Sequence, residues 1–134
     1  MMWVIDTSAL IRLFVPDGPI HPEVETALNH ATSGDAVVFA PHLILVEAAN
    51  VLLRKRRRGE LTVQELGELL LAVKSLPIRL CEHETLLLPA CGLAETYNLS
   101  AYDALYLALA EQHGARLLTN DDALDKVARK IGLA

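Results

Sequence analysis

Cysteines and aromatic residues are scarce in this chain of 134 residues, which has two cysteines and 4% aromatic residues. Cys81 and Cys91 do not form a CxxC motif, and no two of the five histidines are separated by three or four positions. This spacing argues against a zinc site. The chain is also long enough to bury a hydrophobic core without disulfides or a structural metal.

A membrane span and a general positive charge are missing as well. No apolar run approaches the ~18 residues that a spanning helix needs, and Asp6 stands where a secretory signal has basic and then apolar residues. We therefore expect a cytoplasmic protein. The formal net charge of -5 argues against coating of nucleic acid by bulk electrostatics. Five of the twelve lysines and arginines are nevertheless consecutive, in "RKRRR" (54–58).

Short β-prone apolar runs alternate with helical patterns along the whole sequence. The predicted strands are "MWVID" (2–6), "AVVFA" (36–40), "IRLC" (78–81) and "ARLLT" (115–119). Helical spacing follows each of them. This alternation predicts one α/β domain over residues 1–134, a three-layer α/β/α sandwich with a mostly parallel central sheet.

Several residues mark the expected helix boundaries. Pro41 suits the first turn of a long helix, "HLILVEAANVLLRKRRR" (42–58). Thr62 and Glu65 have the spacing of a capping box at the start of the next helix. Pro89 and Gly92 predict weak points within the helical stretch "HETLLLPACGLAETYN" (83–98).

Four acidic residues stand at positions that local structure does not fully explain. Asp6 and Asp121 each follow a predicted strand, and ligands bind at the carboxyl ends of strands in open α/β sheets. Glu47 lies on a largely apolar helix face, where a carboxylate needs a partner. Asp103 interrupts an apolar helical run, "LSAYDALYLALA" (99–110).

Each acid also has a local explanation. Asp6 and Asp121 are suitable helix N-caps, and Glu47 can lie at the exposed edge of its helix. Asp103 matches the acid of a capping box that begins at Ser100. All four are nevertheless expected near one sheet edge, where clustered carboxylates need a cation such as Mg²⁺ or Mn²⁺. That combination predicts metal-dependent hydrolysis of a phosphoryl group.

Four segments, taken in order, resemble the PIN-domain ribonucleases, and within them the VapC-type toxins of toxin–antitoxin pairs. They are "VIDTSAL" (4–10), "LILVEAANVLLR" (43–54), "LSAYDALYLALA" (99–110) and "ARLLTNDDAL" (115–124). The resemblance covers nearly the whole chain. It implies RNA as the substrate, Mg²⁺ or Mn²⁺ as the cofactor, an antitoxin protein as a partner and a homodimer.

The resemblance also implies a set of site residues. The acidic catalytic and metal-binding positions correspond to Asp6, Glu47, Asp103 and Asp121. Asp121 is preferred to the adjacent Asp122 because it stands two residues after Thr119, as in the family's TxD pattern. Ser8 is implied to order the site by hydrogen bonding, and Thr119 and Asn120 are further supporting candidates.

Other functions use the same residues. A PIN nuclease of RNA maturation or decay has the same acids, and a non-catalytic PIN scaffold binds RNA or protein without cutting. The basic run 54–58 either lines the approach of RNA, complements the dipole at a helix end, or meets an acidic antitoxin segment. Two other classes are disfavoured because this sequence lacks the acids that they need. A haloacid-dehalogenase-like phosphatase needs a second Asp where Ser8 stands, and a receiver domain needs an acidic pair near the first strand.

Overall fold

A parallel sheet of four strands forms the centre of the molecule in the computed structural model, which describes residues 1–134. The strands are β1 (Met2–Ile5), β2 (Val37–Pro41), β3 (Arg79–Cys81) and β4 (Arg116–Leu118). Their order across the sheet is β3-β2-β1-β4, and all three neighbouring pairs are parallel. The central strands are almost wholly buried, as expected for a sheet covered on both faces.

Six α-helices connect the strands, and a seventh follows the last strand. They are α1 (Thr7–Ile11), α2 (Val24–Ser33), α3 (Leu43–Arg57), α4 (Val63–Lys74), α5 (Leu87–Tyr97), α6 (Ala101–His113) and α7 (Asp122–Lys130). The first four helices link β1 to β2 and β2 to β3, whereas α5 and α6 lead back to β4 on the far side of β1. Right-handed crossovers place these two groups on opposite faces of the sheet. The predicted parallel α/β sandwich is confirmed.

Helix α6 is the most deeply buried helix of the fold. Every residue from 104 to 110 is buried, and the helix packs across β1, β2 and β4 as well as against α5. The alanines and leucines of this segment therefore have core contacts all around the helix. Its first turn, which holds Asp103, is fixed in place by this packing.

Two expectations about proline and glycine were wrong. Pro41 is the last residue of β2 rather than the first of a helix, and α3 begins after His42. The ladder to β3 continues past Pro41, because the His42 N–H donates to the Cys81 carbonyl (2.9 Å). Pro89 and Gly92 do not interrupt α5. Pro89 is its third residue, where an N–H has no partner within the helix in any case.

Other helix boundaries follow from the chemistry of their residues. Gly34 ends α2 with a positive φ of 82°, which glycine adopts without strain. Thr62 and Glu65 form a complete capping box at the start of α4. None of the helices combines the length and apolar content that a membrane span requires.

The capping box yields a prediction for stability. The Thr62 hydroxyl accepts the Glu65 N–H (3.1 Å), and both residues are exposed. We expect Thr62→Ala to lower the free energy of unfolding by about 1 kcal/mol, because the helix loses one cap. Urea denaturation measures this. Thr96→Ala, which removes an exposed hydroxyl bonded back to the Gly92 carbonyl within α5, is the control and should be neutral or slightly stabilising. An equal loss in both variants would contradict the prediction.

Candidate active site

The strands β1 and β4 end side by side at the point where the connections of the sheet change direction. From β1 the chain builds outward to β2 and β3, whereas β4 is added on the other side of β1. Such a switch point leaves a crevice at the carboxyl ends of the strands. A cleft of about 230 Å³ opens there. It is lined by the acids Asp6, Glu47, Asp103 and Asp121, by Thr7, Ser8 and Tyr106, and by the apolar Ile11 and Val51.

Asp6 follows β1 directly and is only 4% exposed. One carboxylate oxygen, Oδ1, accepts the Ala9 N–H (3.0 Å) and the Ser8 hydroxyl (2.7 Å), so Asp6 is the N-cap of α1. The other oxygen, Oδ2, accepts the Thr119 hydroxyl (2.5 Å). Burial nevertheless raises the pKa of Asp6 to about 6, although these three hydrogen bonds act in the opposite direction.

The supporting residues predicted around Asp6 are all present in one network. The Ser8 hydroxyl oxygen accepts the Asn120 N–H (2.8 Å) and lies 3.1 Å from the Thr119 hydroxyl. Thr119 in turn accepts the Asp121 N–H (3.0 Å). Through these bonds the residues after β4 are joined to those after β1. The Asn120 side chain does not line the cleft but donates to the Pro19 carbonyl (2.8 Å).

Glu47 is held from one side by two hydroxyls. Its Oε1 accepts from Tyr106 (2.5 Å) and from Thr7 (2.9 Å), and the two hydroxyls lie 3.0 Å apart. Its Oε2 accepts no hydrogen bond from the protein. Burial, and then the hydrogen bond to Glu47, hold the pKa of Tyr106 far above its usual range. Tyr106 therefore stays protonated and remains a donor.

Asp103 lies in the first turn of α6, after the N-cap Ser100. The Ser100 hydroxyl accepts the Asp103 N–H (3.1 Å), but the Asp103 carboxylate does not bond back to the backbone of Ser100. The expected capping box is thus only half formed, and the half-buried carboxylate lines the cleft. Burial, and then the negative charges of Asp121 and Glu47, raise the pKa of Asp103, which the Ser100 hydroxyl opposes.

Asp121 is the N-cap of α7. Its Oδ1 accepts the Leu124 N–H (3.0 Å), and its Oδ2 accepts no hydrogen bond from the protein. Asp122 is exposed and does not line the cleft. Of the two adjacent acids, Asp121 is therefore the one that the structure brings to the other three.

The donor chemistry of the cleft fits a divalent cation. No Lys, Arg or His forms an ion pair with any of the four acids, and the donors that hold them are neutral hydroxyls and backbone N–H groups. As the side chains lie, no three acidic, His or Cys side chains are grouped closely enough to hold one ion together. Mg²⁺ is commonly bound by one or two carboxylates and keeps several of its waters. The carboxylates therefore fit such an ion without a preformed cage.

Thr7 and Tyr106 were missed as site residues in the sequence. Their contacts with Glu47 span 40 and 59 positions, which no local pattern reveals. One signal was available for Tyr106. A tyrosine within a fully apolar helix needs a partner for its hydroxyl, and it stands one helical turn after Asp103.

Comparisons with known proteins identify the family of the chain. The model of the PIN domain family matches residues 3–130. Ribonuclease VapC3 of Pyrobaculum aerophilum is 34% identical over 128 residues, which are 92% of either chain. Ribonuclease VapC3 of Mycobacterium tuberculosis is 31% identical over 121 residues, 90% of this chain and 83% of the relative.

Two solved structures have the same fold. The crystal structure of PAE2754 from Pyrobaculum aerophilum superposes with a TM-score of 0.73 at 25% identity, over 95% of this chain and 84% of that one. That of Mycobacterium tuberculosis VapC20, described as a sarcin-ricin loop cleaving toxin, has a TM-score of 0.64 at 19% identity, over 92% and 93% of the two chains. By sequence and by fold, the chain belongs to the PIN-domain family, alongside the VapC ribonucleases.

Proposed function

We propose that the protein is a metal-dependent endoribonuclease that hydrolyses RNA phosphodiester bonds as the toxin of a toxin–antitoxin pair. The observation that carries the proposal is the convergence of Asp6, Glu47, Asp103 and Asp121 on one cleft without any positive partner. The curated relatives named Ribonuclease VapC3 support the substrate class.

The proposed partners and cellular location follow from the same relatives. A VapC-type toxin has RNA as its substrate and a cognate antitoxin as its partner, and a homodimer in the cytoplasm completes the proposal. VapC20 is described as a sarcin-ricin loop cleaving toxin, which makes that loop a candidate substrate to test. A PIN nuclease of RNA maturation differs only in substrate and partner, so an antitoxin encoded next to this chain would distinguish the two.

The protein side chains have two tasks in this reaction. The oxygens without a protein donor, Oε2 of Glu47 and Oδ2 of Asp121, and the Asp103 carboxylate would hold Mg²⁺ or Mn²⁺ directly or through water, together with Asp6. When bound, such an ion stabilises charge on the scissile phosphate and activates water. The hydroxyls of Thr7 and Tyr106 orient Glu47 and leave its Oε2 without a protein donor. Those of Ser8 and Thr119 bind both oxygens of Asp6 and hold that carboxylate in place.

The choice between two adjacent acids gives the most direct test. We expect Asp121→Asn to reduce cleavage of RNA in Mg²⁺ or Mn²⁺ by about 100-fold or more, because charge at the site worth several kcal/mol is lost. Asn still caps α7. Asp122→Asn should cleave like the wild type. Gel assays with end-labelled RNA measure both variants, and equal activity in the two would refute the assignment of Asp121.

Removal of one hydroxyl tests the positioning of Glu47. Tyr106→Phe leaves Oε1 of Glu47 with the Thr7 hydroxyl alone. We expect about a tenfold loss of activity at limiting Mg²⁺, because partners that orient a metal ligand typically affect affinity by this amount. The rate is measured as a function of Mg²⁺ concentration. Tyr102→Phe, at a tyrosine of the same helix that is 61% exposed, is the control. If both variants need the same Mg²⁺ concentration as the wild type, Tyr106 does not position Glu47.

The raised pKa of Asp6 gives a pH dependence of stability in the presence of a chelator. Its pKa is about 6 in the fold and 3.8 ordinarily. Protonation therefore favours the folded state, and the stabilisation that is complete below pH 3.8 is lost as the pH rises through 6. The loss amounts to about 3 kcal/mol.

Asp6→Asn is the variant that tests this. The amide oxygen of Asn can cap α1, whereas its amide nitrogen cannot accept the Thr119 hydroxyl. Because the side chain carries no buried charge, the variant should still be more stable than the wild type near neutral pH and less dependent on pH. Urea denaturation in EDTA at several pH values measures the difference. If the metal-free variant is less stable than the wild type at neutral pH, the Asp6 charge serves the fold rather than the site.

A further inference from the structure

Helix α3 carries the cleft and part of the basic run on a single face. At 100° per residue, Arg54 and Arg58 lie within about 20° of the direction of Glu47 around the helix axis. Val51, which lines the cleft together with Glu47, lies on the same face of α3, between Glu47 and the two arginines along the helix axis. Arg58 is the C-cap and keeps right-handed helical torsions, so the stripe continues to it.

The remaining residues of the basic run have other directions. Lys55 points into the molecule, is 7% exposed, and pairs with Asp17 (2.5 Å) and Glu60 (3.8 Å). Arg56 is on the opposite side of the helix from Glu47, about 180° away. The run is therefore not a uniform charged end. Lys55 stabilises the fold through its ion pairs. Arg54 and Arg58 lie on the helix face that lines the cleft.

The stripe has free positive charge. Arg54 and Arg58 are exposed, and neither forms an ion pair. The hydrogen bond from Lys55, followed by the charges of Lys55, Arg12 and Arg58, holds the pKa of Asp17 below its usual range. Two acids, Asp17 and Glu60, thus face three cations beside the end of α3, and the local charge remains positive in a protein whose net charge is -5.

We propose that the arginine stripe, Arg54 and Arg58 on α3, binds the phosphodiester backbone of single-stranded RNA as it leaves the cleft. This rests on the proposed function. A cleft of four carboxylates repels a polyanion, so positive charge next to it lowers the cost of bringing a phosphate there. The guanidinium groups match phosphate oxygens in a planar, two-pronged geometry. An acidic protein segment has no comparable need to enter the cleft.

The distances define where the contacts fall. With a rise of 1.5 Å per residue, Arg54 and Arg58 stand about 10 and 16 Å along the helix from Glu47. Their contacts are therefore with phosphates away from the scissile one. They add affinity without touching the reacting atoms.

The experiment is RNA binding in EDTA, where the substrate stays intact. The affinity of a labelled single-stranded RNA is measured by fluorescence anisotropy between about 50 and 200 mM salt. Each phosphate contact contributes about 0.7 to the slope of log affinity against log salt for single strands. Arg54→Gln and Arg58→Gln should each lower the slope by about 0.7 and weaken binding about eightfold at 50 mM salt.

Arg56→Gln is the matched control. It removes an equal charge from the same helix on the opposite face, so it should change neither slope nor affinity. If it weakens binding as much as Arg54→Gln, bulk charge is responsible and the stripe is wrong. If RNA affinity is unchanged in the stripe variants while that of an oligoglutamate peptide falls, the stripe binds an acidic protein segment instead.

Cleavage assays separate this inference from the proposed function. In Mg²⁺, kcat/KM on a long RNA should fall in the stripe variants by the same factor as their affinity. If the wild-type protein cuts RNA but Arg54→Gln and Arg56→Gln bind RNA with equal affinity, the proposed role of the arginine stripe is wrong and the nuclease activity stands. If the wild-type protein binds RNA through the arginine stripe but does not cut it, the proposed nuclease activity is wrong and the RNA-binding role of the stripe stands.

Discussion

The buried carboxylate of Asp6 is the constraint on which the site depends. It lies where β1 ends, accepts hydrogen bonds from Ser8, Ala9 and Thr119, and its own N–H donates to the Leu118 carbonyl (3.1 Å). The side chain and the backbone of one residue thus join β1, α1 and β4. The switch point of the sheet and the floor of the cleft are consequently built from the same residues.

Neutral donors are the reason that the site stays negative. A lysine or arginine beside these acids would stabilise them in the fold but would compete with a metal ion. Hydroxyl groups satisfy the inner oxygens without cancelling charge. The repulsion that remains raises the pKa of Asp103, since Asp121 and Glu47 lie close to it. The protein gives up some stability to keep charge in the cleft, a common compromise at functional sites.

The sequence predicted what depends on local pattern. Apolar runs located the strands, and the residues that end or cap helices, such as Gly34 and Thr62, behaved as their chemistry predicts. The four acids were found because all of them are expected near one sheet edge, and Asp121 was preferred to Asp122 by the resemblance to the family's TxD pattern. The partners of Glu47 were not found in the sequence, because Thr7 and Tyr106 contact it from distant parts of the chain. Pro41 was misplaced because a strand end and a first helical turn both tolerate proline.

The arrangement of the site along the chain has a consequence for its synthesis. Thr119 holds an acid that was made 113 residues earlier, and Asp121 follows it. A ribosome releases the chain from its N-terminus, so β1 waits for β4 and the cleft is incomplete until Asp121 has emerged. Until then Asp6 and Glu47 are already made, but the residues that complete their cleft are still missing.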